Sequence, residues 1–464
     1  MTDSLQTALT YIQKNNSRFM VELKDFLRIK SISTDPNHKD DMSSAANWVK
    51  NHLQKIGIEH VEVDQTKGHP VVYGDYLHAG LDSKTVLVYG HYDVQPPDPL
   101  ELWTTEPFDP SIRGDYLYAR GSSDMKGQVM VCLNAIEAFL SQGSLPVNVK
   151  FLIEGEEEIG SPNLSEYLRN NKDKLTCDFA LNPDTGMMAP DLPTIIYALR
   201  GLAYFELRVY GPSHDLHSGI FGGVIHNPAQ ALCELIAGMH DGSGKVTLPN
   251  YYDSVKPMTE KERKELARLP ISDTDYLRQT GSPAVWGEEG FTSVERVGSR
   301  PTLEVNGLLS GFTGEGSKTV LPSWAMAKIS MRLVPDQDPD EVYSQFKSYL
   351  NIYAPKTIRW ELTKLAGGPA CMTDPFLPAT NALAEALKTE WGIKPVYKRE
   401  GGSVPVTADM QKILGVESVL TGFGLPDDNI HSPNEKLHLP TWEKGTRAMV
   451  HYFYNLGFLN DKGS

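Results

Sequence analysis

The feature that most limits the fold is a repeated junction, in which a short apolar run ends and acids or a histidine follow at once. Thr85-Val-Leu-Val-Tyr89 leads through Gly90 into His91-Tyr-Asp93. Val147, Val149, Phe151 and Ile153 alternate up to Glu154 and the triplet Glu156-Glu157-Glu158, and Phe179-Ala-Leu181 runs into Asn182-Pro183-Asp184. A strand that is apolar throughout has to be covered on both faces, which is the condition of a parallel strand between layers of helix. Met125 to Leu140 supplies such a helix, with Val129, Leu133, Ile136 and Leu140 at helical spacing directly after the loop Arg120-Gly-Ser-Ser-Asp124. Residues 1–200 are therefore expected to form an α/β domain with a mostly parallel central sheet flanked by helices.

From about Gly201 the pattern changes. Ala203, Phe205, Leu207 and Val209 alternate with more polar residues, Asn227 to His240 is helical, and Leu303 and Val305 start a strand. Ala327, Ile329, Met331 and Leu333 alternate strictly, then come a helix from Asp338 to Leu350 and a strand through Ile358, Trp360 and Leu362. This β-α-β-β-α-β order is that of a ferredoxin-like α+β domain. A polar insert near 245–300 interrupts it, and its Lys261-Glu-Arg-Lys-Glu265 run reads as a solvated helix face. After Gly367-Gly368, a helix (Asn381 to Trp391), a strand (Ser418 to Thr421) and a last helix from Trp442 return to the α/β style. The expected organisation is one α/β domain from 1–200 and 369–464, interrupted by an inserted domain at 201–368.

Charge and composition narrow the function classes. With 44 Lys+Arg against 59 Asp+Glu the net charge is −15, and no basic patch stands out, so a nucleic-acid partner is not expected. Met1 to Ile29 mixes Asp3, Lys14, Arg18 and Glu22 among its apolar residues and reads as an amphipathic helix; no run is long enough for a membrane span. Cys132, Cys177, Cys233 and Cys371 are far apart and form no CxxC pair, as expected of reduced cysteines in a cytoplasmic protein.

Five polar groups share one placement after strands: His91-Tyr-Asp93, Asp124, Glu156 to Glu158, Asp184 and His431. Open α/β sheets bind ligands beyond the carboxyl ends of their strands, so the five can face one crevice. Imidazole and carboxylate are ligands for zinc, manganese and cobalt, and a two-metal hydrolase needs one carboxylate shared between the ions. Singly, each has an ordinary reading: a hydrogen-bonded surface histidine, a solvated run of glutamates, an acid that forms a turn. Their common placement favours the metal reading. His214 and His217 could form a metal pair or belong to a loop capped by Ser218-Gly219, and Arg332 sits on the polar side of its strand. The other histidines, His52 among them, are expected to be structural or superficial.

With these stretches in view, the chain resembles the M20 metallopeptidases, in particular the cytosolic carnosine and Cys-Gly dipeptidase type. The matching motifs are Gly90-His-Tyr-Asp-Val-Gln-Pro96, Ala119-Arg-Gly-Ser-Ser-Asp-Met-Lys-Gly127, Glu154-Gly-Glu-Glu-Glu-Ile-Gly-Ser161, Asp215-Leu-His-Ser-Gly219, Ser317-Lys-Thr-Val-Leu-Pro322, Arg332-Leu-Val-Pro335, Arg399-Glu-Gly-Gly-Ser403 and His431-Ser-Pro-Asn-Glu-Lys436. The resemblance implies two divalent ions, zinc or manganese with cobalt as a further option, bridged by Asp124. His91 and Asp184 would hold one ion, Glu158 and His431 the other. Glu157 would be the general base and Asp93 the partner that orients His91. It further implies a cis peptide at Asp124-Met125 and a homodimer in which the inserted domain acts as lid and dimerisation element. His217 would then reach the partner subunit's site to stabilise the oxyanion. Arg332, Gly402 and Ser403 would hold the substrate carboxylate, with Thr319 a further contact. One departure is Ala366, before Gly367-Gly368, where the eukaryotic dipeptidases carry a histidine. The implied activity is hydrolysis of dipeptides or other short peptides with a free C-terminus. The alternatives are an N-acyl or N-carbamoyl amino-acid amidohydrolase and a non-catalytic metal- or peptide-binding protein.

Overall fold

The computed structural model describes residues 2–401 and 405–459. The chain divides into two compact units, Met1–Tyr197 with Thr373–Tyr397 and Val406–Ser464, and Ala198–Met372 with Lys398–Pro405.

The first unit is α/β. Its sheet runs Glu59–Asp64, Val71–Tyr76, Asn148–Glu154, Thr85–His91, Phe179–Asn182, Ser418–Leu420 and Thr194–Leu199. The four strands in the middle, from Asn148–Glu154 to Ser418–Leu420, are mutually parallel. The flanking pairs are antiparallel, so the parallel character belongs to the centre of the sheet and not to its rims. The central strands are apolar because both faces are covered: Val86, Leu87, Val88 and Tyr89 are at most 2% exposed. Helix Lys126–Leu140 is buried on every side from Lys126 to Phe139, between the strand Thr85–His91 and the helices Thr2–Leu27 and Leu439–Leu456. A helix enclosed all round needs no polar face, which explains why its residues are apolar well beyond the expected stripe. Its first turn lies against the preceding loop so closely that a Cβ on Gly127 would stand 2.1 Å from the Ser122 carbonyl oxygen.

The second unit has a four-stranded antiparallel sheet in the order Thr302–Ser310, Trp324–Leu333, Gly201–Tyr210, Arg359–Gly368. Helices Pro228–Ala237 and Pro339–Tyr353 cover one face, and the expected alternation holds: Phe205, Leu207, Ala327, Ile329 and Met331 are buried with Leu232 and Phe346. This is the ferredoxin-like arrangement. The polar insert folds into three short helices, Glu260–Leu266, Asp273–Thr280 and Ser293–Ser299, each opened by a capping box. Its charged run is not wholly solvated, because Glu262 is buried and accepts a hydrogen bond from Arg399.

His52, on helix Lys39–Lys55, is 5% exposed and stacks on Trp48 at 4.9 Å between ring centres. Its ring nitrogen lies within 4.8 Å of carboxylate oxygens of Glu22 and Glu137. Those two acids are satisfied by cations instead, since Arg18 lies 2.8 Å from Glu22 and 2.6 Å from Glu137. The cluster is structural, as the sequence suggested for His52. Burial, with Glu22 opposing, pushes the imidazole down to about 4. Between pH 6.5 and 4 the unfolded chain then binds a proton that the folded chain refuses, so stability falls as the pH drops through this window. On acidification from pH 7 to 5, His52→Gln should lose about 2 kcal/mol less unfolding free energy than the parent, measured by urea denaturation. Parallel losses in both proteins would show that His52 is not the source.

Candidate metal centre

Three adjacent parallel strands deliver the site. His91 ends its strand opposite Glu154, and one residue further the ladder continues as the Tyr92 N–H donates to the Glu154 carbonyl (2.9 Å). The turn Glu157–Ile159 follows Asn148–Glu154, and Asp184 follows Phe179–Asn182, where its N–H donates to the Asn182 side chain (2.9 Å). Asp124 stands in the loop before helix Lys126–Leu140, and its peptide bond to Met125 is cis. His431 lies in the loop after Ser418–Leu420 with φ +58°, a left-handed conformation that a non-glycine residue keeps only when its surroundings impose it.

The two oxygens of Asp124 face opposite ways. Oδ1 is 3.2 Å from His91 Nε2, which is also 3.9 Å from Asp184 Oδ2. Oδ2 is 3.0 Å from His431 Nε2, which is also 3.2 Å from Glu158 Oε2. Ligand atoms of His91, Glu157 and Asp184, and again of His91, Asp124 and Glu158, lie within 4.8 Å of one another and form two groups able to hold a cation. Neighbouring glutamates thus enter different groups, because the turn after the strand aims their side chains apart. The far side of His91 is fixed as well: Nδ1 lies 3.0 Å from the Asp93 carbonyl oxygen and 3.3 Å from its carboxylate. Asp93 Oδ2 in turn accepts the Glu158 N–H (3.1 Å).

Crowding buried acids has electrostatic consequences. Burial, reinforced by the charge of Asp124, raises the Asp184 carboxyl to about 7. Burial raises Glu157 to about 9, with His91 opposing and Asp184, Asp124 and Glu158 adding. Hydrogen bonds to Asp124 and Glu158 lift His431 to about 10. Burial alone would raise Asp124 too, but the hydrogen bonds from His431 and His91 hold it low. This donor set, two imidazoles and several carboxylates with too little positive charge among them, is chemically suited to hard or borderline divalent cations.

Of the residues singled out from sequence, His91, Asp93, Asp124, Glu157, Glu158, Asp184 and His431 are brought together in the first unit. His217 and Thr319 lie on neighbouring segments of the second unit, where the Ser218 N–H donates to the Thr319 carbonyl (3.0 Å) and His217 pairs with Val320. His217 is exposed, and its Nδ1 accepts the Gly219 N–H (3.0 Å), which makes it the cap of a short turn. Arg332 is half-buried on the polar side of Trp324–Leu333, close enough to Arg200 to lower the latter's pKa further once burial has done so, to about 10. Gly402 and Ser403 lie outside the described residues. Sequence reasoning missed Gln95, whose Nε2 donates to Glu158 Oε2 (2.8 Å) and to its carbonyl (3.1 Å). Gln95 sits inside the motif that begins at Gly90, but nothing in the spacing marks its partner.

The model of peptidase family M20/M25/M40 matches residues 87–455. The chain belongs to this family. It is 33% identical to the Cys-Gly metallodipeptidase DUG1 of Candida albicans, with 98% of this chain and 97% of the relative covered. It is 30% identical to the human Beta-Ala-His dipeptidase, covering 98% and 93%. Among solved structures it is similar to the M20 family metallo-carboxypeptidase Sso-CP2 from Sulfolobus solfataricus, at 32% identity and a TM-score of 0.82 over 95% of this chain and 99% of that one. In this M20 chain, a carboxyl raised as Asp184 is stabilises only at low pH and opposes folding as the pH climbs through 7. With a chelator present, Asp184→Asn should therefore be more stable than the parent at pH 8, by on the order of 3 kcal/mol, with the gap closing toward pH 4. Thermal unfolding at the two pH values checks this, and a parent as stable as the variant at pH 8 would contradict it.

Proposed function

We propose that this M20 chain is a cytoplasmic, homodimeric dipeptidase that uses two divalent ions to hydrolyse dipeptides and other short peptides with a free C-terminus. The observation that carries the reading is the opposed placement of the Asp124 oxygens, each facing its own imidazole and further carboxylate. His91 and Asp184 would hold one ion, Glu158 and His431 the other, and Asp124 both. When bound, zinc, manganese or cobalt would polarise the scissile carbonyl and make a water acidic.

The protein's own groups do the rest. Glu157, half-buried beside His91 and Asp184, is protonated at neutral pH while no cation offsets the surrounding acids; with cations bound its carboxylate would be ionised and would take a proton from the attacking water. As the water oxygen bonds to the carbonyl carbon and the C–N bond breaks, Glu157 passes that proton to the leaving amine. Asp93 fixes which nitrogen of His91 points into the site. Arg332 with Gly402 and Ser403 reads the substrate carboxylate, a bidentate task that suits a guanidinium, and Thr319 adds a contact. Ala366, exposed on its strand, offers no imidazole, which supports a preference other than carnosine-like peptides.

The unit Ala198–Met372 is read as the lid and dimerisation element, and His217 as the oxyanion donor given to the partner's site. Exposed apolar residues support an interface there: Ile220, Phe221, Val224 and Ile225 follow His217, and the edge strand Thr302–Ser310 bears exposed Val305, Leu308 and Leu309. The cytoplasmic assignment is supported by four free cysteines, and among the described residues no helix is long and apolar enough to cross a membrane.

Glu157→Gln should lower kcat by about a hundredfold or more on a dipeptide panel, and exhaustive chelation should abolish turnover until a divalent metal is restored. Full activity in either case would overturn the mechanism, and faster cleavage of N-acetyl amino acids than of dipeptides would make the protein a deacylase. The trans role has its own test. Inactive His217→Ala and Glu157→Gln proteins, mixed under conditions of subunit exchange, should regain up to about a quarter of parental activity, because only one site of each mixed dimer is whole. No recovery despite proven exchange would place His217 outside the partner's site.

A further inference from the structure

Behind the candidate metal centre, within the first unit, a second ion pair is closed off from water. Arg120 and Glu435 are each at most 1% exposed at their side chains and lie 2.8 Å apart. Glu435 spends its carboxylate on the loop that carries Asp124. Oε1 accepts the N–H groups of Ser123 (2.9 Å) and Asp124 (3.1 Å), while Oε2 accepts the Gly121 N–H (2.9 Å) and the Arg120 guanidinium. Arg120 also donates to the Pro96 carbonyl (3.1 Å), at the end of the motif that begins Gly90-His91. Glu435 itself belongs to the segment that carries His431, and its carbonyl accepts the Ala119 N–H (3.2 Å). One buried pair therefore joins the three segments that present His91, Asp124 and His431.

We propose that Glu435, held by Arg120, is a positioning residue that fixes the orientation of Asp124 and thereby the spacing of the two cation sites. The inference rests on the two-ion reading of the centre. A buried ion pair is poor evidence of stability, since an apolar pair of similar volume often serves the fold as well. What an apolar pair cannot do is gather three converging backbone N–H groups around one point. Gly121, at φ +82°, gives this loop a backbone free to turn, and the carboxylate of Asp124 must keep one oxygen toward each imidazole. With the anion gone, the N–H groups of Gly121, Ser123 and Asp124 lose their common acceptor and the loop can reorient. The cation sites would then lose their shared ligand while the sheet beneath them stays intact. Groups that orient ligands in this way typically matter about 10- to 100-fold in metal affinity or activity.

The test uses manganese as the probe. The full-length protein, stripped of metal, is titrated with Mn(II) by equilibrium dialysis and its electron paramagnetic resonance spectrum recorded, for the parent and for Glu435→Gln. The parent should take up two ions and show the spectrum of a spin-coupled pair. Glu435→Gln, with an unchanged circular-dichroism spectrum at the same temperature, should bind at least one ion about 10- to 100-fold more weakly and show isolated Mn(II). Its kcat should fall while KM for a dipeptide stays within about threefold, because substrate-reading groups are untouched. If Glu435→Gln does not fold, the double variant Arg120→Gln with Glu435→Gln leaves no buried charge without its counterpart and carries the same expectation. A folded variant with parental Mn(II) affinity and spin coupling overturns the clamp. A parent that takes up no second ion overturns the two-ion reading, and that failure is seen before any variant is made.

Discussion

Everything at this site follows from the need to bury several carboxylates at one point. Asp93, Asp124, Glu154, Glu157, Glu158 and Asp184 converge where the central strands end, and water is largely excluded from them. Burial raises Asp184, Glu154 and Glu157 toward or beyond neutrality, while the two imidazoles are drawn toward their charged forms by the acids they face. Such a cluster opposes folding unless protons or cations offset it. A chain that keeps it must therefore spend much of its remaining structure on holding the acids where a cation can use them.

That requirement explains the form of the layers around the site. Helix Lys126–Leu140 is enclosed on all sides and starts against the Asp124 loop with only a glycine's clearance at Gly127. The Lys126 ammonium donates to the carbonyls of Phe26 (3.2 Å) and Ile29 (2.8 Å), which ties the same loop to the end of the N-terminal helix. Ser123 donates to Asp428 (2.7 Å), so the loop is held from the His431 side as well. Packed helices and short hydrogen bonds let few conformations compete, and ligand geometry tolerates only small errors.

How much of this could be read beforehand depends on the range of the interaction. Thr85–His91, Asn148–Glu154 and Phe179–Asn182 were legible because an apolar run and the acid that ends it are neighbours in sequence. The alternating strands Gly201–Tyr210 and Trp324–Leu333 were legible for the same reason. The antiparallel rim was not: Glu59–Asp64 is half exposed and polar, so it carries no apolar signature. Lys261 to Glu265 looked solvated because the partner that buries Glu262, Arg399, lies far along the chain. His431 was grouped with the acids by its place after the strand Ser418 to Thr421, but which cation it would meet came only with the family resemblance, since a lone histidine in a loop has no period. Gln95 and Glu435 sat in quoted motifs without a role, because their partners are fixed by tertiary placement alone.

The two units divide the proposed work, and that division has a physical basis. Every residue proposed to hold a cation or move a proton belongs to the first unit, while Arg332, Thr319 and His217 belong to the second, with a core of its own. Catalytic acids tolerate little displacement, so they sit at the ends of parallel strands buried on both faces. The proposed recognition of a peptide terminus would need an open polar surface, and the ferredoxin-like sheet offers one by covering a single face with helices and leaving Arg332 on the other. If the proposed division holds, a substitution on that open face would change which substrate is read without adding a buried charge to the metal centre. Substitutions at the strand ends have no such freedom, because each acid there sets the protonation of the next.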